Sequence, residues 1–401
     1  MAGKEFIIGA DLLYDGRIKT RRKSIVVHGN KIVEVSSKNY KSDVSGVVTP
    51  AFIDPHSHIG MERQGEPAGE SEVDDTLNAF TPLHNPVNSI YFDDRAFSEA
   101  VDFGVLYSCV LPGSSNILGG QAMVIRNFSP NRKSAVIREC GVKMALGYNP
   151  RAATTWKGKR PSTRMGTTAL LENYFLEILR KEEQARIKKE QAVLDLSGPK
   201  NQQHLTLIQR AYDIALSTEQ WAVFKLLKGE ISAKVHVHKA DDALYLIDMK
   251  QRFNITVTAE HACDICDVDI FNALAKNNIP IVYGPVGSFD YKVELKNASY
   301  KNAASLMQSN ADFGLMTDHP VILAHHLRDS LKYFLIHGMT PEDAISLITR
   351  KNAAILGIDD CLGTLEPGKL ASLIVWGTDP FHLGAFPLLI MAEGSIVRDG
   401  R

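Results

Sequence analysis

VVTPAFIDPHSHIG, residues 47–60, is the stretch on which the reading of the whole chain turns. A largely apolar run ends at Asp54 and Pro55 and is followed at once by His56-Ser57-His58. Alternate residues at a strand end point to the same side, so two imidazoles spaced by one residue can chelate one ion. Taken alone, the pair suits exposed or internally satisfied histidines equally well.

Further strand-like runs follow: VLYSCVLPG, then QAMVIRN with SAVIREC as the competing choice, VKMALG, AKVHVH, ITVTAE, PIVYG and FGLMTD. With the third pair taken as one, eight runs lie between residues 47 and 318, separated by helical stretches. That alternation predicts parallel βα units closed into a (β/α)₈ TIM barrel over residues 50–359. The two ends read differently. Residues 1–49 hold EFIIGADLLY and SIVVHGNKIVEVSS, with a turn at Gly29 and Asn30, and residues 360–401 hold LASLIVWG and AFPLLIMAEGSIVRDGR, with a turn at Glu393 and Gly394. Together they predict a small composite β-sandwich.

Barrel chemistry sits at the carboxyl ends of the strands. His236 and His238 close KVHVH, His261 follows ITVTAE, and Asp318 closes FGLMT. A barrel would bring these residues to one rim with His56 and His58, though they are far apart in sequence.

Composition narrows the classes. Of 401 residues, 44% are hydrophobic and 23% charged, and 45 Lys and Arg against 46 Asp and Glu leave a formal net charge of -1. No global field draws the chain to nucleic acid or to a membrane surface, which favours a small-molecule substrate. Five scattered cysteines are too few for a disulfide framework and fit a reducing cytoplasm, and the Cys263-Asp264-Ile265-Cys266 spacing reads as incidental. There is no secretion-type apolar start, no run near the ~18 apolar residues of a membrane span, and no phosphate loop or nucleophile elbow.

One segment stands outside the repeat: residues 168–196, TALLENYFLEILRKEEQARIKKEQAVLDL. Leu170, Leu171, Tyr174, Phe175, Ile178 and Leu179 at helical spacing need an apolar partner, either the barrel or a second subunit, so a homo-oligomer stays open. TPEDAISLITRKNAAILG predicts one helix capped by Thr340, with Pro341 at its first position.

With these motifs in place, the chain resembles the amidohydrolase superfamily, on its imidazolonepropionase and Xaa-Pro dipeptidase side. The resemblance spans nearly the whole chain and rests on FIDPHSHIG, HVHKADD, AEHA, MTDHP and NAAILGIDDCLGTLEPGKLASLIVW. It implies a barrel flanked by a urease-like terminal β domain, and a divalent metal cofactor, zinc foremost, as one or two ions. His56 and His58 would ligate the first metal. Asp318 would join ligation to proton transfer. His236 and His261 would hold a second metal or the substrate carbonyl, with His238 the rival for the strand-five position and otherwise a carbonyl-polarising group. Lys143 in GVKMALG stands where relatives carry a carboxylated bridging lysine; it also reads as a barrel-lining lysine. The tail departs from the family at Asn352-Ala353-Ala354 and Ala371-Ser372-Leu373, and Tyr148 stands where close relatives place an acid.

The reaction implied is hydrolysis of an amide or cyclic amide of a small molecule, with Asp318 accepting a proton from the attacking water and returning it to the leaving nitrogen. Hydrolytic deamination at a single metal is disfavoured: neither Lys239 nor Asp241 supplies the glutamate that relatives place three residues after the strand-five histidine. A metal-free scaffold is the rival from another class. For the substrate, NPRAATTWKGKRPSTRMG offers Arg151, Lys157, Lys159, Arg160 and Arg164 to an anionic group, Arg164 foremost, or is simply a solvated loop. The Gly119-Gly120-Gln121 turn either lets backbone and Gln121 approach a ligand or makes a tight connection.

Overall fold

The computed structural model describes residues 5–63, 67–151, 160–196, 202–288 and 292–401. Lys157 and Lys159 of the basic loop lie outside the described residues. The chain begins with β1 (Phe6–Tyr14), β2 (Lys19–His28), β3 (Lys31–Ser36) and β4 (Val44–Pro50). Gly29 and Asn30 form the turn between β2 and β3, as their residue types predicted.

Through Ala51 alone the chain passes into eight further strands: β5 (Phe52–Ser57), β6 (Val105–Val110), β7 (Leu118–Arg126), β8 (Val136–Ala145), β9 (Ser232–Val237), β10 (Thr256–His261), β11 (Ile281–Tyr283) and β12 (Phe313–Leu315). Each pairs with its neighbour in sequence, giving one eight-stranded sheet. The last strands are β13 (Leu373–Trp376), β14 (Pro387–Ala392) and β15 (Ser395–Asp399), the latter two joined by the expected turn at Glu393 and Gly394, both at positive φ. β13 pairs with β4 and β4 with β1, so both chain ends share one seven-stranded sheet. The expected sandwich is a single continuous sheet curled over its own core of Ile8, Ile25, Val48, Leu373 and Leu389, with Lys31 bridging to Leu370.

The number of barrel strands is as expected, but their direction is not. β7 runs antiparallel to both β6 and β8, and SAVIREC and VKMALG are one strand, β8. A parallel crossover needs a dozen or more residues and usually a helix. The connections 111–117 and 127–135 hold only a four-residue helical turn, Arg132–Ala135, so reversal is the available solution. The expected C-terminal helix is also two, Pro341–Leu347 and Arg350–Leu356, broken at Thr349. Thr340 caps the first as predicted, accepting from the Asp343 N–H at 3.2 Å.

The helix Arg164–Leu194 starts at the cap Thr163 and buries Leu171, Phe175 and Ile178. These join the main core, with Tyr174 and Leu179 packed against it and Phe175 meeting Phe253 edge-on at 5.2 Å, whereas Leu170 of the same stripe is exposed.

β12 and β5 close the barrel without a regular ladder. Asp318 donates its N–H to the His56 carbonyl at 3.2 Å, and His58 donates to the His319 carbonyl at 3.0 Å. Lower in the seam, the Asn352 side-chain amide donates to the carbonyls of Ile53 (2.7 Å) and Leu315 (2.8 Å). Gly314 leaves the room for this, since a Cβ there would overlap the Asn352 carboxamide. Asn352→Ala should therefore leave two buried carbonyls without their donor, at a cost of roughly 1–3 kcal/mol each. Urea unfolding of the variant would measure it, and an unchanged midpoint would remove Asn352 from the seam's energetics. The unusual Ser372 of the tail also has a place: its hydroxyl lies 2.6 Å from the Tyr107 hydroxyl and accepts the Glu393 N–H at 3.0 Å, tying sheet to barrel.

Candidate functional site

His56, His58, Lys143, His236, His238, His261 and Asp318 are all buried at the carboxyl ends of β5, β8, β9, β10 and β12. At two of these ends the backbone turns sharply. His261 (φ 77), Ala262 (φ 56) and Asp318 (φ 53) occupy the left-handed region, which non-glycine residues hold only when surrounding structure imposes it. This turning breaks strand alternation, so the adjacent residues Glu260 and His261 both take part in the interior cluster.

Among the described residues, two groups of side chains have donor atoms close enough together to hold an ion: His236 with His238 and His261, and His56 with His261 and Asp318. Asp318 Oδ1 lies 3.3 Å from His58 Nε2 and 3.5 Å from His56 Nε2. Outer partners set which nitrogen each ring presents. His56 Nδ1 is 2.7 Å from Glu260 Oε2, His58 Nδ1 is 2.8 Å from the Leu111 carbonyl, and His261 Nδ1 is 3.1 Å from the Gly284 carbonyl. Each ring thus donates through Nδ1 and keeps Nε2 as a lone-pair donor. Both nitrogens of His236, Nδ1 of His238 and Nε2 of His261 are buried without any hydrogen-bond partner. Such orphaned atoms are costly unless something binds them.

Electrostatics favours the same state. Burial, with Lys292 or neighbouring imidazoles adding to it, holds His236, His238 and His261 well below the ordinary histidine range. Burial, aided by Lys143, brings His56 down to about 4. Neutral imidazole is the form that ligates a cation. Burial alone would raise Asp318, but its surroundings at His58, His56 and Lys143 outweigh burial and hold the carboxyl below the ordinary carboxylate range. Burial brings Lys143 down to about 8, and its Nζ lies 3.0 Å from His56 Nε2. Beneath the cluster, Glu260 and Lys234 form a buried pair at 3.5 Å.

A cavity of about 280 Å³ opens beside His238 and Asp318, walled by Tyr283, Val286, Leu295, Tyr300, Val321 and Tyr333 among others. None of the described residues lining it is Lys or Arg. The residues expected to meet substrate do not line this cavity. Arg164 is ion-paired to Asp241 (3.4 Å) and Asp242 (3.6 Å), and with Arg151 it lines a second pocket of 360 Å³ that Glu294 also walls. Arg160 donates to the Pro150 carbonyl, holding its own loop together. Gln121 lies within β7, its N–H bonded to the His84 carbonyl, and Gly120 is where a Cβ would strike that same carbonyl. Gly119, Gly120 and Gln121 thus all belong to β7, and the expected turn is a strand segment packed against residue 84. Lys239 reaches Asp264 at 3.2 Å. Cys263 and Cys266 are unpaired, whereas Cys109 and Cys140, far apart in sequence, have sulfurs 3.2 Å apart.

Sequence reasoning missed two carboxylates. Glu260 orients His56 and was hidden because strand alternation assigns it to the face opposite His261. Glu294 reaches His236 from the segment between β11 and β12, where no periodicity marks it.

The chain belongs to the amidohydrolase family, a class of hydrolases acting on carbon–nitrogen bonds: residues 166–397, more than half of it, match the family profile described as "Amidohydrolase family". Among individual proteins, a crystal structure of an amidohydrolase from Thermotoga maritima MSB8 superposes with a TM-score of 0.85 at 26% identity, covering 98% of this chain and 100% of that one. Amidohydrolase tasK of Hapsidospora irregularis is 24% identical over 87% of this chain, which spans only 36% of that protein's length. Imidazolonepropionase of Picrophilus torridus is 21% identical, with 90% and 86% of the two chains covered. A Xaa-Pro dipeptidase with bound methionine shares the fold at a TM-score of 0.57 and 15% identity, covering 98% and 99%.

Proposed function

We propose that the protein is a metal-dependent hydrolase of a small amide or cyclic amide, with His56, His58, His236, His261 and Asp318 holding one or two divalent cations, zinc foremost. The observation that carries this is the set of buried, unpartnered imidazole nitrogens facing an ionised carboxylate at the ends of separate strands. A cation bound there would supply Lewis-acid polarisation and bring a water's pKa from 15.7 toward 7.

The chain's own groups account for the remaining steps. Asp318, at the edge of the 280 Å³ cavity, accepts the proton of the attacking water and returns it to the leaving nitrogen. His238 borders the same cavity and belongs to the imidazole group able to hold a cation there. Glu260 keeps the His56 ring in one orientation. Lys143, with its ammonium form disfavoured by burial, suits a bridging role as the carboxylated side chain. Among the described residues the cavity lining is rich in tyrosine and holds no Lys or Arg, which favours an uncharged substrate group over an anionic one.

Screening dipeptides, N-acyl amino acids and cyclic imides with zinc-loaded protein should reveal hydrolysis that a chelator removes and added zinc restores. Turnover indifferent to chelation, or purified protein that takes up no stoichiometric metal and loses nothing on His56→Ala, would leave the scaffold alternative standing instead.

A further inference from the structure

Glu294 belongs to the short helical turn Val293–Leu295 and is buried. Its Oε1 stands 3.5 Å from His236 Nε2 and 4.0 Å from His238 Nε2. The shorter of these is not a hydrogen bond, since His236 Nε2 has no such partner. It is, however, close to the separation of two donors sharing one ion. At metal–ligand distances of about 2.0–2.1 Å in a tetrahedron, donor atoms lie roughly 3.3–3.4 Å apart. Asp318 stands at 3.3 Å and 3.5 Å from the imidazole nitrogens of His58 and His56. Glu294 bears the same spatial relation to His236 that Asp318 bears to the first histidine pair.

The carboxylate is also held as a ligand would be. Its Oε2 accepts the Tyr148 N–H at 2.9 Å, and its Oε1 accepts from Lys292 Nζ at 3.2 Å, an ammonium also bonded to Asn149 Oδ1 at 3.1 Å. Ligating carboxylates are commonly fixed by such outer hydrogen bonds, and the Lys292 charge offsets the added negative charge. His261, with Nδ1 committed to the Gly284 carbonyl, has only Nε2 to give and so serves one cation.

We infer that Glu294 is the carboxylate ligand of a divalent cation held by His236, His238 and His261. This site of three imidazoles and one carboxylate is complete without modification of Lys143. The inference rests on the metal-dependent reading above and extends it with a donor from outside the barrel strands.

The test is cation stoichiometry, read by elemental analysis after zinc loading and gel filtration in carbon-dioxide-depleted buffer, with affinities from chelator competition. Wild-type protein should keep two ions per chain and Glu294→Gln one, the lost site weakened at least tenfold. With cobalt substituted for zinc, the variant should lose one component of the visible spectrum. Should Glu294→Gln not fold, Glu294→Asp, which keeps the charge but shortens the reach, should show the same loss. A variant that keeps the wild-type stoichiometry and affinities overturns the assignment, as does a single wild-type ion that survives the substitution; a single ion lost with it supports the assignment. Wild-type protein without any stoichiometric ion would instead overturn the metal-dependent reading itself.

Discussion

Asp318→Asn should lower kcat by on the order of 10²–10⁴-fold, the range assigned to a positioned proton-transfer group, while leaving the fold intact. The carboxamide keeps the size of the side chain but can neither take up a proton at neutral pH nor carry the charge that faces His56 and His58 at 3.5 Å and 3.3 Å. The backbone loses nothing. The N–H of residue 318 still reaches the His56 carbonyl, and asparagine tolerates the left-handed φ of 53. Activity and stability should therefore separate: turnover of whichever amide the screen identifies collapses, while the thermal midpoint stays near that of the wild type. Full activity in this variant would remove Asp318 from the chemistry.

Glu260→Ala should do the opposite first and reach function second. Glu260 is fully buried, bonded to His56 Nδ1, to Lys234 at 3.5 Å and to the Thr258 hydroxyl. The Lys234 charge and the His56 bond overcome burial and hold its carboxyl down at about 2, so it is ionised at neutral pH. Deleting it strands the Lys234 ammonium in the barrel interior, at a cost of about 3–5 kcal/mol. The His56 ring also loses its orienting partner, which should weaken cation binding by roughly 10–100-fold. The double change Lys234→Met with Glu260→Leu distinguishes the two effects. Removing both charges should recover much of the stability but none of the cation affinity. Recovery of both would reduce Glu260 to a packing residue.

The sequence disclosed positions more readily than directions. Histidines and an aspartate at the ends of apolar runs are legible because strand ends converge in a barrel, and HSH, HVH, the histidine of AEHA and the aspartate of MTDHP all lie in the interior cluster. A hydrophobic run carries no sign of the way it points, so nothing within β7 marks it as antiparallel; the brevity of segments 111–117 and 127–135 is the signal that distinguishes it. Glu260 was obscured by the alternation rule, which fails where His261 adopts a left-handed backbone. Glu294 lies on a connection and meets His236 only through tertiary folding. The arginines are a related case. Charge on a loop is visible in sequence, but the neutralisation of Arg164 by Asp241 and Asp242 is not.

The seam between the first and last barrel strands has a consequence for biosynthesis. The peptide groups that zip it shut, Asp318 to His56 and His58 to His319, belong to the very residues around the reactive centre. A nascent chain that has emerged only as far as β11 carries the histidines of the cluster but neither the Asp318 carboxylate nor the stitches that set it against His56 and His58. On the metal-dependent reading, the carboxylate and its stitches arrive together with residues 318 and 319, so Asp318 is placed only as the barrel shuts.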